Sequence, residues 1–512
     1  MGKKIIIIGI LGFLIGCSNR EIVKEEQEEI SISHSVQGDV ISFYSKYRYP
    51  KDIFYKAEPV AYLQSINENK NKNGYFNKID EREFLNFYKD LNVRGYGDNS
   101  NYWRWKFSIT EKELENILNK NLVSVGKRRT KDVLTLVDEK WVFRPIPDNP
   151  VGNFKEIRVM ERGKSGIIIK IMVRGSKGTY LIAREGNIRN LLGLSNTDIA
   201  IYGSKGESSE YIAKPIATRP SMLPSGYFAF ERMGERYNFY GGGYGHGVGM
   251  PQWAVADLTK NYGYSYSSIL KRYYKNMKLE NIENLTHGKD EIRVGIMNTG
   301  FKTLDHESIR ISSSSPLKIQ SKNINIKTKG GEKIDFVNKH GAINISINGK
   351  VKGKTSSPLK ITSEKNKISV ESIQRGLRKA KYPSYRGTFE IKLSSSPNKL
   401  RLINEVDIEE YLMQVVPSEM PESFGLEALK VQAVAARTYA LSDYLKGRYK
   451  AQGFHVTDST QSQVYNNSDE NRTSIEAIEA TRGEVMIHGG KPIDAKYYST
   501  SSGYGAAAHN VW

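Results

Sequence analysis

Cysteine is almost missing from this chain: among 512 residues there is one, Cys17. A single thiol excludes an intrachain disulfide framework. Long apolar runs are equally scarce. The one candidate, Ile5 to Ile15, is too short to span a bilayer as a mature helix. The rest of the chain therefore reads as a protein that folds in water. The glycine-rich stretch at 241–249 has neither the GxxxxGK[ST] nor the GxGxxG spacing, which argues against nucleotide binding. No GxSxG surrounds the serines, so a nucleophile-elbow hydrolase has no support. No repeat of fixed period is present. No single block of Lys and Arg dominates, although the formal net charge is +20. That charge favours acidic partners, but a Lys-, Asn- and Ile-rich composition that merely solvates the surface explains it equally well.

What is present starts with the position of the cysteine. Met1-Gly2-Lys3-Lys4, an apolar segment and Gly16 precede Cys17, the order of an export signal. Leu14-Ile15-Gly16-Cys17 resembles a bacterial lipobox, which implies lipidation of Cys17 and a lipid-anchored location in the bacterial cell envelope. Residues 1–17 are thus expected to be a lipoprotein signal peptide. Residues 18–46, polar with little to bury, are expected to be a tether. From Tyr47 the composition becomes globular.

Residues 110–120 repeat Leu114, Ile117 and Leu118 at helical spacing, and 157–182 read as strand, hairpin, strand. A short helix is expected at 187–194, one opened by Pro251, and one at 265–276 with Ser265 as N-cap. The polar stretch 281–291 is a candidate link between two halves. Ile292 to Leu402 is nearly all short strands separated by Ser, Asn, Gly and Lys. Asp407 and Glu410 form a capping-box pattern, and a second helix is expected from Leu426 to Leu445. The fold class that follows is α+β, strand-rich with a few helices.

Residues 406–440, VDIEEYLMQVVPSEMPESFGLEALKVQAVAARTYA, place Glu419 between Pro417 and Pro421. Proline restrains its own φ and pushes the preceding residue toward extended geometry. The expectation is a stiff, non-helical elbow carrying the carboxylate. On pattern alone a loop glutamate facing water is the simpler reading.

These residues change the balance. NEVDIEEYLMQVVPSEMP, LEALKVQAVAARTYAL, DSTQSQVY and AKYYSTSSG follow one another, and the segment resembles the stage II sporulation protein D (SpoIID/LytB) family. YWRWKFSIT, RGKSGIIIKIMVRG, IRNLLGLSN and GGGYGHGVGMPQWAVADL resemble the second half of that family's domain, yet here they come first. The reading is a circular permutation, with 47–285 as the family's C-terminal half and 286–512 as its N-terminal half. The strand-rich part is 292–402 and the catalytic motif 403–512. It requires Trp512 to lie near residues 45–60. Two incomplete copies are the other arrangement the order allows.

The resemblance implies a lytic transglycosylase that cuts the MurNAc–GlcNAc bond of peptidoglycan glycan strands, favouring peptide-stripped ones, to 1,6-anhydro products. Such a reaction uses one carboxyl group as acid and then as base, which calls for partial burial of Glu419. Arg437 is the implied orienting cation. Ser418, Asp458, Gln463, Tyr465, Tyr498, Ser499, Thr500 and Ser501 are implied sugar contacts, with Tyr244, His246 and Gln252 lining a glycan-binding cleft near Glu419. Family members that bind zinc carry Cys and His in the DSTQSQVY block. Here Thr457, Gln461 and Ser462 stand in their place, so no metal and no cofactor are expected. The alternative is a non-catalytic wall-binding module that recruits or stimulates a cell-wall amidase. Nucleic acid is not an expected partner, since no basic–aromatic module is present.

Overall fold

The computed structural model describes residues 54, 57–70, 76, 80–204, 220–288, 290–376 and 378–512, with 211–216 as backbone. The expected leader, the Cys17 anchor and the tether lie outside them. Among the described residues, helices and mostly antiparallel strands combine without a barrel, an α+β protein as expected. The chain divides into two compact units. One comprises 277–495 with 265–267. The other holds the described residues up to 264 together with 268–276 and 496–512.

In the unit holding 277–495, alternating apolar residues build two sheets. The seven-stranded sheet runs, in spatial order, Ile324–Lys327, Leu317–Ser321, Leu359–Ser363, Thr388–Leu393, Leu400–Asp407, Glu291–Ile296 and Val456–Thr457; the last pairing is parallel. The six-stranded sheet runs Lys350–Thr355, Ala342–Ile347, Lys333–Lys339, Ser308–Ser312, Ile368–Val370 and Ser384–Tyr385. Ile309, Ile311, Ile319, Phe336, Ile343, Ile345, Ile361 and Phe389 are fully buried. The residues between them face outward, the period-two pattern of half-buried antiparallel strands.

Strand Leu400–Asp407 runs straight into helix Ile408–Glu419, because Asp407 accepts N–H bonds from Glu409 at 2.9 Å and Glu410 at 3.1 Å. This satisfies donors that a helix start leaves orphaned. Helix Leu426–Lys446 begins after Gly425 and ends on left-handed Gly447. It is buried nearly all round rather than along one face, which its Ala-rich sequence permits. Helix Arg472–Ala480 packs against both, and strand Glu484–His488 pairs with Lys278–Asn281.

The other unit has two five-stranded sheets. One contains Arg104–Thr110 beside Arg236–Gly241, and the other contains Phe154–Arg162, Ile168–Gly175 and Thr179–Ala183. Helix Glu111–Arg128 opens on a complete capping box, Thr110 with Glu113, and buries Leu114, Leu118 and Leu122. These join Trp105, Phe107, Ile171 and Phe239 in one core. The segment 496–512 is knitted into this unit. Ile66 pairs with Gly505 and Met250 with Tyr497, while the Ala508 N–H reaches the Leu63 carbonyl at 3.0 Å.

Candidate functional site

Helix Ile408–Glu419 corrects the elbow expectation. Glu419 is its last helical residue, Pro417 lies inside the helix, and the chain becomes extended at Met420. The Met420 N–H still bonds the Val416 carbonyl at 2.9 Å, so the final turn closes. Pro417 removes one donor from the last turn, and the segment 464–468 supplies others. Ser418 Oγ donates to the Gln414 carbonyl at 2.6 Å and accepts N–H bonds from Asn467 at 3.0 Å and Ser468 at 3.1 Å. Asn466, with φ +60°, donates its own N–H to the same Gln414 carbonyl at 3.1 Å. The Val464 N–H donates to Glu419 Oε1 at 2.6 Å. Glu419 is 6% exposed and lies among the buried Val415, Val416 and Met420. A carboxyl group in such a setting, held by a main-chain donor at the carbonyl end of a helix, can give up and take back one proton.

Arg437 does not meet that carboxylate in the role expected of it. Its guanidinium is fully buried and grips Glu409 through two bonds of 2.8 and 2.6 Å, with a third to the Glu484 carbonyl at 3.1 Å. Glu409 also accepts the Gly483 N–H at 3.0 Å. The planar fork suits bidentate carboxylate pairing, and here it welds helix Leu426–Lys446 to the start of the Glu419 helix. The physical reason is proximity: Glu409, unmarked by any sequence signal, neutralises the guanidinium first.

Three other expected substrate contacts prove to be interior groups of the same unit. Asp458 pairs with the buried Arg375 and accepts the Met297 N–H at 2.9 Å. Burial pushes its carboxyl above the ordinary range, with Arg375 opposing that shift. Gln463 accepts from the Tyr411 hydroxyl at 3.2 Å and donates to the Ala436 carbonyl at 3.2 Å. Tyr465 donates to Asn404 Oδ1 at 2.8 Å, and burial drives its hydroxyl well above the usual value. All three are at most 1% exposed. They hold the segment carrying the Val464 N–H rather than presenting polar atoms to solvent.

Tyr244, His246, Gln252 and Tyr498–Ser501 lie together in the other unit. The glycine cluster is explained by close approach. Gly249, at φ +77°, sits where a Cβ would come within 2.0 Å of the Lys496 carbonyl oxygen. Gly243, at φ +82°, presses likewise on the Thr500 carbonyl. Glycine alone fits both the left-handed conformation and the gap. Tyr244 and Thr500 exchange main-chain hydrogen bonds of 2.9 and 3.1 Å. Thr500 Oγ1 meets Ser100 Oγ at 2.7 Å and Ser499 Oγ at 3.1 Å. The Ser501 hydroxyl accepts the Gly503 N–H at 3.0 Å. His246 Nδ1 accepts the Val248 N–H at 3.1 Å, which places the ring proton on Nε2, 3.0 Å from the Tyr497 carbonyl. The ring lies 5.3 Å from that of Trp512 and 5.6 Å from that of Tyr498. The Tyr244 ring lies 4.5 Å from that of Tyr102, tilted by 44°, and is half-buried. Gln252 is buried as the first residue of helix Gln252–Tyr262.

Residues that the sequence reading missed are Glu409, Gln414, Val464 and Asn466. Only Asn466-Asn467 carried a signal, a dipeptide that favours a turn with positive φ.

Fold and site thus define an α+β protein whose distinctive feature is a buried glutamate at a helix end, clamped by a neighbouring loop. Residues 396–488 match the family model described as Stage II sporulation protein (SpoIID), so this segment is similar to the SpoIID family. Residues 51–249 match a second model, a domain of unknown function (DUF8618). Among similar proteins, the amidase enhancer of Bacillus subtilis is 42% identical over 101 residues, 20% of this chain and 13% of that protein. Stage II sporulation protein D of Bacillus subtilis is 31% identical over 166 residues, 30% of this chain and 47% of that protein. An uncharacterised protein of Brachyspira hyodysenteriae is 40% identical over 112 residues, 22% of this chain and 30% of that protein. The chain therefore spans less than half the length of each of these relatives.

Proposed function

We propose that the chain is a lytic transglycosylase of the cell envelope, cutting peptidoglycan glycan strands with Glu419 as both acid and base. The observation that carries this reading is the placement of Glu419 within the SpoIID segment: nearly buried, flanked by apolar side chains and fixed by the Val464 N–H. Protonated, the carboxyl group would donate to the glycosidic oxygen as the MurNAc–GlcNAc bond breaks. As carboxylate it would take the proton of the muramic acid C6 hydroxyl as that oxygen closes on C1, giving the 1,6-anhydro end. One carboxyl group suffices because the nucleophile belongs to the substrate, unlike hydrolysis, which recruits water through a second.

The test is incubation of the purified protein with glycan strands, intact and amidase-stripped, followed by mass spectrometry. Anhydro-muramic ends from the parent and none from Glu419→Gln support the reading. Reducing ends in their place would point to hydrolysis. A second reading is favoured by the relative named amidase enhancer: strand binding that stimulates an amidase without cleavage. Binding by both forms, no cleavage by either, and faster peptide release by an added amidase would establish it.

Two further parts of the reading concern the whole chain. The permuted order is supported by residues 496–512 sharing a unit with the segment up to 264 and pairing with Ile66–Asn67. A chain re-linked from Trp512 to residue 54 and opened between 276 and 290 should keep its melting transition. Lipidation at Cys17 predicts metabolic incorporation of a labelled fatty acid that Cys17→Ser abolishes.

A further inference from the structure

The net charge left unassigned by the sequence is concentrated in one part of the fold. Residues 291–402 contain 23 Lys and Arg against 8 Asp and Glu, a net +15 of the chain's +20. No run of basic residues marks this in the sequence, because strand alternation spaces them. The sheets gather them. Lys318 and Lys327 stand directly opposite each other on neighbouring strands, and Lys360 pairs with Gln320 on the next. At the edge of the six-stranded sheet, Lys350, Lys352 and Lys354 of strand Lys350–Thr355 are all exposed, around a register shift that sets Lys350 opposite Ile347 and Lys354 opposite Asn344. The two edges meet: Gly353 lies against Ile324 and Ile326 of the other sheet's outer strand, where a Cβ would come within 2.8 Å of Ile324 Cδ1.

Like charges directly opposite in a sheet destabilise it, so this arrangement is not one that folding stability favours. Lysines along an edge strand do protect against edge-to-edge aggregation, which accounts for Lys350, Lys352 and Lys354. It does not account for Lys318 and Lys360, which lie on inner strands. Lys327 is partly offset by Glu364 at 2.7 Å, and Lys360 stands 4.0 Å from Glu405. The surface also lacks a stacking platform. Among the described residues of 291–402, the only strongly exposed large apolar side chain is Val351, 72% exposed. Single-stranded nucleic acids are held by aromatic faces as well as charge, and those faces are missing here.

We propose that the basic surfaces of these two sheets bind a linear phosphodiester polyanion without bases, of the kind attached to bacterial walls. Its role would be to hold the protein on an anionic wall matrix, independently of any glycan cleavage. Binding would depend steeply on salt, because each neutralised phosphate releases a counterion.

The experiment titrates the full chain onto poly(glycerol phosphate) between about 50 and 200 mM salt, with single-stranded DNA and uncharged dextran as comparison arms. Lys350→Gln/Lys352→Gln/Lys354→Gln should lower the slope of log affinity on log salt by about 2 and weaken binding roughly tenfold or more at intermediate salt. Lys318→Gln/Lys360→Gln, away from the edge, should lower the slope by about 1. Lys155→Gln/Lys164→Gln/Lys177→Gln removes the same charge from exposed positions in the other unit and should leave affinity within about twofold. Equal losses in both triple variants would overturn the proposal by showing a response to net charge alone. So would DNA binding about tenfold tighter than poly(glycerol phosphate). If the edge variant aggregates, the inner-strand variant decides: full binding by it assigns the lysines to edge protection.

Discussion

Helix Ile408–Glu419 carries a buried glutamate at each end, and the two face opposite physical situations. Glu409 sits in the first turn, where the helix presents its positive end, and is gripped by the Arg437 fork and the Gly483 N–H. Glu419 sits in the last turn, where the negative end of the helix dipole opposes a carboxylate, and Oε1 accepts the Val464 N–H. The first environment ties the carboxylate into a buried ion pair, and the second sets it at the carbonyl end of the helix against a main-chain donor. Residue type and burial are the same at both positions; only position along the dipole and the identity of the partners differ. A carboxylate's role is therefore read from its surroundings, and the pairing of Arg437 with Glu409 shows how a motif arginine can serve the scaffold.

The sharpest way to break this comparison is to exchange the outcomes of two substitutions. Glu419→Gln should reduce glycan cleavage by about two to four orders of magnitude, as loss of acid–base catalysis does, while leaving the melting temperature nearly unchanged. Arg437→Leu should behave oppositely. Leaving Glu409 buried without its partner costs about 3–5 kcal/mol, seen in denaturant titration, and Glu409→Leu/Arg437→Leu should recover most of it. If Arg437→Leu kept its stability and lost activity, the scaffold role assigned to that pair would be wrong.

Smaller effects sharpen the contrast. Gly249→Ala forces a Cβ onto the Lys496 carbonyl at positive φ, and should cost about 2–3 kcal/mol in thermal unfolding. Ser418→Ala removes three hydrogen bonds, two of them between the helix end and segment 464–468, for about 1–2 kcal/mol. Its effect on cleavage should exceed its effect on stability, because the Val464 N–H is placed by that segment.

The smallest effect concerns His455. Burial, helped by Arg293, lowers its imidazole to about 4 from 6.5, and Nδ1 accepts the Arg293 N–H at 3.0 Å. The unfolded chain binds this proton more readily between those values, so stability falls as pH drops from 6.5 toward 4. The loss is on the order of 1 kcal/mol after solvent screening, and His455→Gln should flatten that limb of the melting-temperature profile.

Much of the fold was legible because its signals are local. Period-two apolar alternation in 292–402 became two sheets, and Asp407 capped the helix it was expected to open. Pro251 preceded a helix as predicted. The elbow at Glu419 was misread because proline's cost was weighed without the loop donors that complete the last turn. Gln463 and Tyr465 were expected as sugar contacts from the family resemblance of their block, which does not say what packs over each side chain. Their partners, Tyr411, Ala436 and Asn404, lie 27 to 61 residues away in the chain, beyond the reach of any local pattern.

By itself the sequence determined the α+β class, the strand-rich character of 292–402, the starts of several helices and the glutamate that stands out from its neighbours. These follow from residue spacing and capping chemistry, which act over a few positions. The tertiary structure alone decided that Arg437 serves Glu409, that Glu419 ends a helix under the Val464 N–H, and that scattered lysines stand exposed on two sheets whose edge strands touch. Each depends on which distant segments pack together, and a carboxylate or an ammonium acquires its role only from the charges, dipoles and donors that packing brings to it.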